Sequence, residues 1–455
     1  MMIKFVDLFA GIGGIRKGLE LAIEQNGILS QCVFSSEIDP RSQATYSLNY
    51  GEQPEGDIRQ IDTLPPHDIL LAGFPCQAFS YAGKQKGFAD TRGTLFFEIE
   101  RLLTSIKKKP ELLLLENVRG FTTHDRGRTY ETVISKIESL GYKTKTLLLN
   151  SSNFSVPQNR VRMYIACTLN YSPVVSIQSD LGAADSHKFK KANSQINLFD
   201  FFDTTIKSFP KVYVGDILEP NVDKRYVCSK EFQGQLSEAL HGQSFDALHG
   251  VRLIDYRGGN SLHSWDLGIK GRCSPEEKRL MNAIIANRRK KHFGTQQDGK
   301  ELTIDQIETF WDESNLSNLL DSLVLKGYLR LIKGKYNPTC GNMSFEVFKF
   351  LDPKSISITV VTSDAHRLGV VHNGVPRRIT PRECARLQGF PDDFKLHPEN
   401  LWAYRQLGNS VAVTVSTEIF NYLIVNNNET FKRVVNKTIL QIDVPGFTRY
   451  APENL

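Results

Sequence analysis

No apolar run in this sequence of 455 residues reaches the roughly eighteen needed to span a bilayer. The opening stretch from Met1 to Gly11 is apolar, yet Lys4 and Asp7 interrupt it and no small-residue cleavage site follows, so it does not read as a signal peptide. The seven cysteines (Cys32, Cys76, Cys167, Cys228, Cys273, Cys340 and Cys384) include no CxxC pair, and their number is odd. Neither a zinc cluster nor a disulfide framework is indicated, and no metal is expected. An intracellular, cytoplasmic protein with reduced thiols is the expectation. Also missing is the GxGxxG signature of dinucleotide enzymes: Ala10 to Gly14 reads AGIGG, and Arg16 occupies the third glycine position. That weakens the case for a pyrophosphate at the helix N-terminus, and a nucleoside cofactor without phosphate fits better.

The length exceeds one ordinary core, so two domains are expected. With 40% apolar and 23% charged residues the chain reads as globular, and its net charge of +6 permits nucleic-acid binding without requiring it. Ile3 to Phe9 reads as a buried strand and Ile15 to Glu24 as a helix with Ile15, Leu19, Ala22 and Ile23 on one face. A second strand, Gln31 to Ser36, ends in Glu37, placed where a carboxylate can accept both hydroxyls of a ribose. Asp57 has the matching place after the third segment and can accept from an adenine amino group. Taken singly, each acid is more often a helix cap or part of a solvated turn; in this order, the combination is more specific than its parts.

The chain is organised around Ala72 to Phe88, which reads AGFPCQAFSYAGKQKGF. Cys76 follows the apolar run Asp68 to Phe74, which puts a thiol at the end of a buried strand, where open α/β sheets keep their sites. Gly83, Gly87 and Gly93, together with Lys84 and Lys86, describe a basic lid suited to a polyanionic substrate. The alternative is a small core cysteine. After a helix over Thr94 to Lys107, the strand Glu111 to Leu115 ends in Glu116, so thiol and carboxyl share a crevice if the two strands are parallel neighbours. A glutamate entering from an apolar strand holds its proton toward neutrality; otherwise it caps the next segment. A helix near Tyr130 to Leu140 and a strand over Lys145 to Leu149 follow. Arg160 and Arg162 then precede a strand over Met163 to Cys167, and alternation aims both guanidiniums to one side for bidentate phosphate or carboxyl binding.

Together these residues resemble the cytosine-C5 DNA methyltransferases, in particular the bacterial modification enzymes. Asp7 to Gly14 (DLFAGIGG) looks like the family's cofactor loop, Phe74 to Ser80 (FPCQAFS) its nucleophile motif, and Glu116-Asn117-Val118 its acid motif. Gln158 to Arg162 is similar to its QxRxR element, while Arg378 to Phe390 and Gly408 to Val411 match its last two motifs. The resemblance implies a Rossmann-like α/β fold with a mostly parallel sheet over residues 1–170. A smaller target-recognition domain would span 171–375, and 376–455 would return to the catalytic domain by a helix. It implies Cys76 as nucleophile on cytosine C6, with Glu116 at ring N3 and Arg160 and Arg162 completing the catalytic set. S-adenosylmethionine would lie against Phe9, Gly11, Ile12, Gly13, Glu37, Ile38, Asp57, Ile58, Pro75, Leu95, Asn409 and Ser410. Ile38 departs from the aromatic that some members carry there.

The cytosine must be flipped from its duplex, and Gln77, Ser80, Lys84 and Arg92 of the lid would line the flipped nucleotide. A monomer is implied, paired in function with a restriction endonuclease but needing no complex with it. A tRNA cytosine-C5 methyltransferase is the nearest alternative, and a catalytically silent DNA-binding protein a more distant one.

Between Thr168 and Pro376 the family pattern stops. Tyr256 to Gly271 sets Arg257, His263, Trp265 and Lys270 among glycines, which suits either DNA contact through Arg257 and Lys270 or a turn-rich surface. From Ser274 a capping box opens a helix ending in RRKK (Arg288 to Lys291); a second opens at Thr303, and a third spans Leu316 to Lys326. Two apolar runs, Tyr328 to Ile332 and Phe345 to Phe350, are expected to pair as a hairpin. The region 274–352 therefore reads as a winged-helix-like insert. It either offers its third helix to a major groove or props the recognition loops.

Overall fold

Near-continuous apolar runs form the inner strands of the first sheet, as expected where both faces are covered, while its two edge strands are more polar. The computed structural model describes residues 2–75, 95–173, 175, 177, 181, 209–256, 258–294, 300–339 and 345–426. Along the chain come β1 (Ile3–Leu8), α1 (Gly14–Gln25), β2 (Ser30–Ser36), α2 (Pro40–Tyr50) and β3 (Ile69–Gly73). Next are α3 (Leu95–Ser105), β4 (Leu112–Val118), α4 (Arg128–Ser139), β5 (Tyr142–Asn150) and β6 (Val161–Leu169). The sheet order is β2-β1-β3-β4-β6-β5, with β6 antiparallel to both its neighbours and the other pairs parallel. Alternate side chains pack to opposite faces: Phe5, Leu71, Leu114 and Tyr164 lie with α1, while Val6, Leu70, Leu113 and Ile165 lie with α3 and α4. Local chemistry sets the helix ends. Asp39 caps α2 by accepting from the Ser42 amide at 3.0 Å, Pro40 fills its first turn, and Gly51 ends it at φ 70°.

A second compact unit comprises the described residues of 213–357 and 363–384; the first comprises those of 1–212, 358–362 and 385–455. The second unit contains α5 (Lys230–Ala239), β7 (Arg252–Leu253), β8 (Ser261–Leu262), α6 (Pro275–Asn287), α7 (Ile304–Glu308) and α8 (Leu316–Leu325). Then come β9 (Leu329–Ile332), β10 (Lys335–Pro338), β11 (Lys349–Leu351), β12 (Leu368–His372) and β13 (Val375–Arg378). The expected capping boxes at Ser274 and Thr303 are both formed. Three helices followed by a hairpin make up the insert, built around Trp265, Leu280, Ile284, Leu320 and Tyr328. Its hairpin corrects the expected pairing. Lys333 and Gly334 both take positive φ, 50° and 74°, closing a two-residue turn that pairs β9 with β10. Phe345 to Phe350 instead leads into β11, in a five-stranded sheet ordered β13-β12-β11-β7-β8.

The chain re-enters the first unit within α9 (Pro381–Leu387), which opens with a reciprocal pair: the Thr380 amide donates to Glu383 Oε2 at 2.8 Å, and the Glu383 amide to Thr380 Oγ1 at 3.1 Å. The last two helices are α10 (Asn400–Asn409) and α11 (Val413–Asn426). Despite its β-branched residues, α11 is helical, because Val415, Ile419, Phe420 and Leu423 at helical spacing complete the core over α1. Gly18 permits the contact: a Cβ there would lie 2.5 Å from Ser416 Cβ and 2.9 Å from the Thr417 amide nitrogen. Among the described residues no helix is long and apolar enough to cross a membrane.

Candidate active site

The parallel pairing of β3 with β4 sets Gly73 beside Glu116, so a carboxyl stands at the carboxyl end of the sheet, next to the strand that leads to Cys76. Cys76 itself lies outside the described residues, as do Gln77, Ser80, Lys84, Arg92 and Arg257. Asn117 fixes the approach to that segment by donating from Nδ2 to the Phe74 carbonyl at 3.0 Å. Glu116 is 9% exposed, and Arg162 Nε lies 3.3 Å from its Oε1. Burial pushes the Glu116 carboxyl above the usual range, while the charges of Arg162 and Arg160 pull it back. Glu116 is therefore a buried acid with a raised pKa and a guanidinium beside it. Such a pair can donate to a ring nitrogen and steady the charge that develops there.

On the other side of β1 the glycine loop makes an open cradle. Phe9 leaves the strand at φ 55°, and Gly11 and Gly13 follow at φ 56° and 84°. A Cβ on Gly11 would meet nothing within 4 Å, whereas one on Gly13 would strike the Tyr50 ring, whose hydroxyl donates to the Gly13 carbonyl at 2.9 Å. Ile12 is buried and anchors the loop. Glu37 Oε2 accepts from the Gly11 amide at 2.8 Å and Oε1 from the Asp39 amide at 2.9 Å. Burial raises the Glu37 pKa and those two amides lower it. Beside it Ile38 is 64% exposed, an apolar surface with room for a flat ring. Asp57 caps the turn at Ile58, and its carboxyl is held low by the guanidinium of Arg59, with Nε at 2.9 Å from both oxygens. Asn409 ends α10 and accepts from Thr362 Oγ1 at 2.6 Å; a Cβ on Gly14 would collide with Ser410 Oγ, so Ser410 lies against the loop. Pro75 is exposed at the end of the β3 segment, and Leu95 opens α3. These groups fit a nucleoside with an attached amino acid: a carboxylate at a strand tip, an apolar face beside it and an open glycine turn.

Two arginines expected to act alike do different work. Arg160 is buried and donates to the Val360 carbonyl at 2.8 Å, the Gly408 carbonyl at 3.2 Å and the Ser410 carbonyl. Its expected bidentate grip on a phosphate or carboxyl is thereby corrected. β6 begins only at Val161, so Arg160 precedes the pleat and reaches main chain instead. Gln158 assists, donating to the Leu387 carbonyl at 2.9 Å and accepting from the Val360 amide at 2.7 Å. Lys270, expected to contact DNA, is half-buried, and its Nζ donates to the carbonyls of Gly327 at 2.9 Å and Thr339 at 3.2 Å. Two residues near it in sequence are buried. Trp265 is fully buried with Nε1 on Asn282 Oδ1 at 3.0 Å, and His263 stacks on it at 4.4 Å.

One buried cluster was not foreseen. Arg16, read in the sequence only as an absent glycine, stacks 3.8 Å from the Tyr50 ring centroid and donates to Tyr46 Oη at 2.8 Å, with Glu20 and Glu52 as ion-pair partners. Tyr46 in turn donates to Asp7 Oδ2 at 3.3 Å. The available signal was an arginine and an aspartate inside otherwise apolar segments, since charge is buried only when paired.

A family model described as C-5 cytosine-specific DNA methylase matches residues 3–424. The Type II methyltransferase M.BanI of Aneurinibacillus aneurinilyticus is 60% identical over 432 residues, 95% of this chain and 98% of its own. M.HgiCI of Herpetosiphon aurantiacus, also a Type II methyltransferase, is 58% identical over 414 residues, 91% of this chain and 96% of its own. Among solved structures, the Entamoeba histolytica methyltransferase EhMeth aligns with a TM-score of 0.51 at 15% identity, over 93% of this chain and 98% of its own, a likeness of fold.

Proposed function

The chain belongs to the C-5 cytosine-specific DNA methylase family, and from that premise we propose that it methylates one cytosine of a short duplex sequence as the modification enzyme of a restriction-modification system. The observation that carries the chemistry is the buried Glu116, its carboxyl pKa raised by burial, beside Arg162 at the end of the strand paired with the one leading to Cys76. Cytosine C5 is a poor nucleophile until a group adds to C6. The Cys76 thiolate forms that bond, and the electron pair displaced from the C5–C6 double bond spreads onto C5 and toward N3. Glu116 shares its proton with N3 while Arg162 offsets the carboxylate charge that results. S-adenosylmethionine, held by Phe9, Gly11, Gly13, Glu37, Ile38, Asp57, Ile58, Asn409 and Ser410, supplies the methyl group when bound. Loss of the C5 proton and expulsion of the Cys76 thiolate restore the ring. Flipping the base costs a few kcal/mol of stacking and pairing, which contacts from Gln77, Ser80, Lys84 and Arg92 offset. Target choice belongs to the second unit.

Transfer of label from methyl-tritiated S-adenosylmethionine to duplex DNA, compared with tRNA, tests this reading. Label in DNA alone is expected, and label in tRNA alone overturns it. Glu116→Gln should lower kcat/KM by about 10²–10⁴-fold. Because burial raises the Glu116 pKa, the active protonated form persists to higher pH and is lost as pH rises through that value. The wild type should therefore lose activity on the alkaline side, and the glutamine variant should lack that limb.

A further inference from the structure

We propose that the inserted lobe meets duplex DNA with the outer face of its β9–β10 hairpin and not with its third helix, α8. The inference rests on duplex DNA being the substrate. From residue 301 onward, charge divides the insert sharply. From residue 301 to 325 there are six acids (Glu301, Asp305, Glu308, Asp312, Glu313 and Asp321) and no lysine or arginine. From 322 to 345 there are four cations (Lys326, Arg330, Lys333 and Lys335) and no acid. Lys326 is engaged within the lobe, its Nζ 2.7 Å from Glu277 Oε2, whereas Arg330, Lys333 and Lys335 are exposed. The outward positions of α8 are Ser317, Asn318, Asp321 and Leu325. A helix offering a carboxylate and no cation is repelled by phosphates at the approach, since phosphate neutralisation dominates binding to DNA.

The hairpin has the opposite character. Its register pairs Arg330 with Asn337 and Ile332 with Lys335, so period-two alternation sets these four on one face, while Leu329, Leu331, Tyr336 and Pro338 share the other, all of them buried except Leu331. Lys333 stands at the tip of the turn. Ile332 is 43% exposed at the centre of the cations, an arrangement that suits phosphates around a sugar edge. The face is also held in shape before any ligand arrives. Tyr336 and Leu302 exchange main-chain hydrogen bonds of 2.7 and 3.0 Å, and Tyr328 Oη at the root of β9 donates to the Gly271 carbonyl at 2.8 Å. A prearranged cationic strip binds without the entropy cost of ordering a loop.

The test is salt-dependent binding of the full-length protein to a fluorescein-labelled duplex of mixed sequence. R330A/K333A/K335A should weaken binding roughly 10- to 100-fold near physiological salt and lower the log–log salt slope by about two to three, close to one for each phosphate left without its cation. The charge-keeping R330K/K333R/K335R should bind like the wild type, and E308Q/D321N should leave the slope unchanged or slightly steeper. An unchanged affinity and slope in the alanine variant overturns the proposal. So does equal loss in the charge-keeping variant, which would indicate a damaged hairpin, and so does weakening by E308Q/D321N. Methyl transfer by the wild type, run alongside, separates failure of this inference from failure of the DNA-substrate reading.

Discussion

Asp7 is 2% exposed, and burial pushes its carboxyl up from 3.8 to about 7, even though Arg16 and the Tyr46 hydroxyl both pull it down. The folded state therefore holds a proton that the unfolded chain has released between pH 3.8 and about 7, so stability falls as pH rises through that window. Asp7→Asn abolishes this titration. Its urea midpoint should change less across the window than that of the wild type, and parallel midpoints would contradict the assignment. Single residues were also where sequence reasoning had least purchase. Glu116 was legible because its strand is uniformly apolar up to the carboxyl. Arg160 and Lys270 were not: an arginine one residue before a strand and a lysine among glycines look like ligand-binding groups until the carbonyls they brace are known. Arg16 was hidden for the same reason, since its aromatic and acidic partners come from α1, α2 and the segment after it.

Elements were more readable than their partners. β1, β3 and β4 announce themselves as apolar runs, and α6 by its capping box, because those signals are local. The partner of β9 could not be chosen from apolar runs alone. Lys335 to Pro338 is a polar stretch that pairs because the Lys333-Gly334 turn brings it there, whereas the more apolar Phe345 to Phe350 goes to a different sheet. Close packing of α1 on α11 is likewise visible only in three dimensions. Gly18→Ala forces a Cβ to 2.5 Å from Ser416 Cβ and 3.0 Å from the Val413 carbonyl oxygen, where main chain cannot easily yield. Overpacking of this kind costs about 1–3 kcal/mol. A lowered thermal midpoint is expected, and an unchanged one would show that α11 is free to move away from α1.

At the scale of the whole molecule, the family and the α/β architecture were legible because the motifs occur in order along strands whose ends hold them. The recognised bases were not, because a reading surface is assembled from segments whose partners lie far apart in sequence. The central claim is that Cys76 attacks cytosine in DNA and that methylation at C5 results. Its most direct test is bisulfite sequencing of genomic DNA from a host without C5 methylation of its own, expressing either the wild type or Cys76→Ala. Conversion-resistant cytosines confined to one short motif, present with the wild type and absent with the alanine form, are the predicted result. Complete conversion with a folded wild-type protein, or equal resistance with Cys76→Ala, would contradict it.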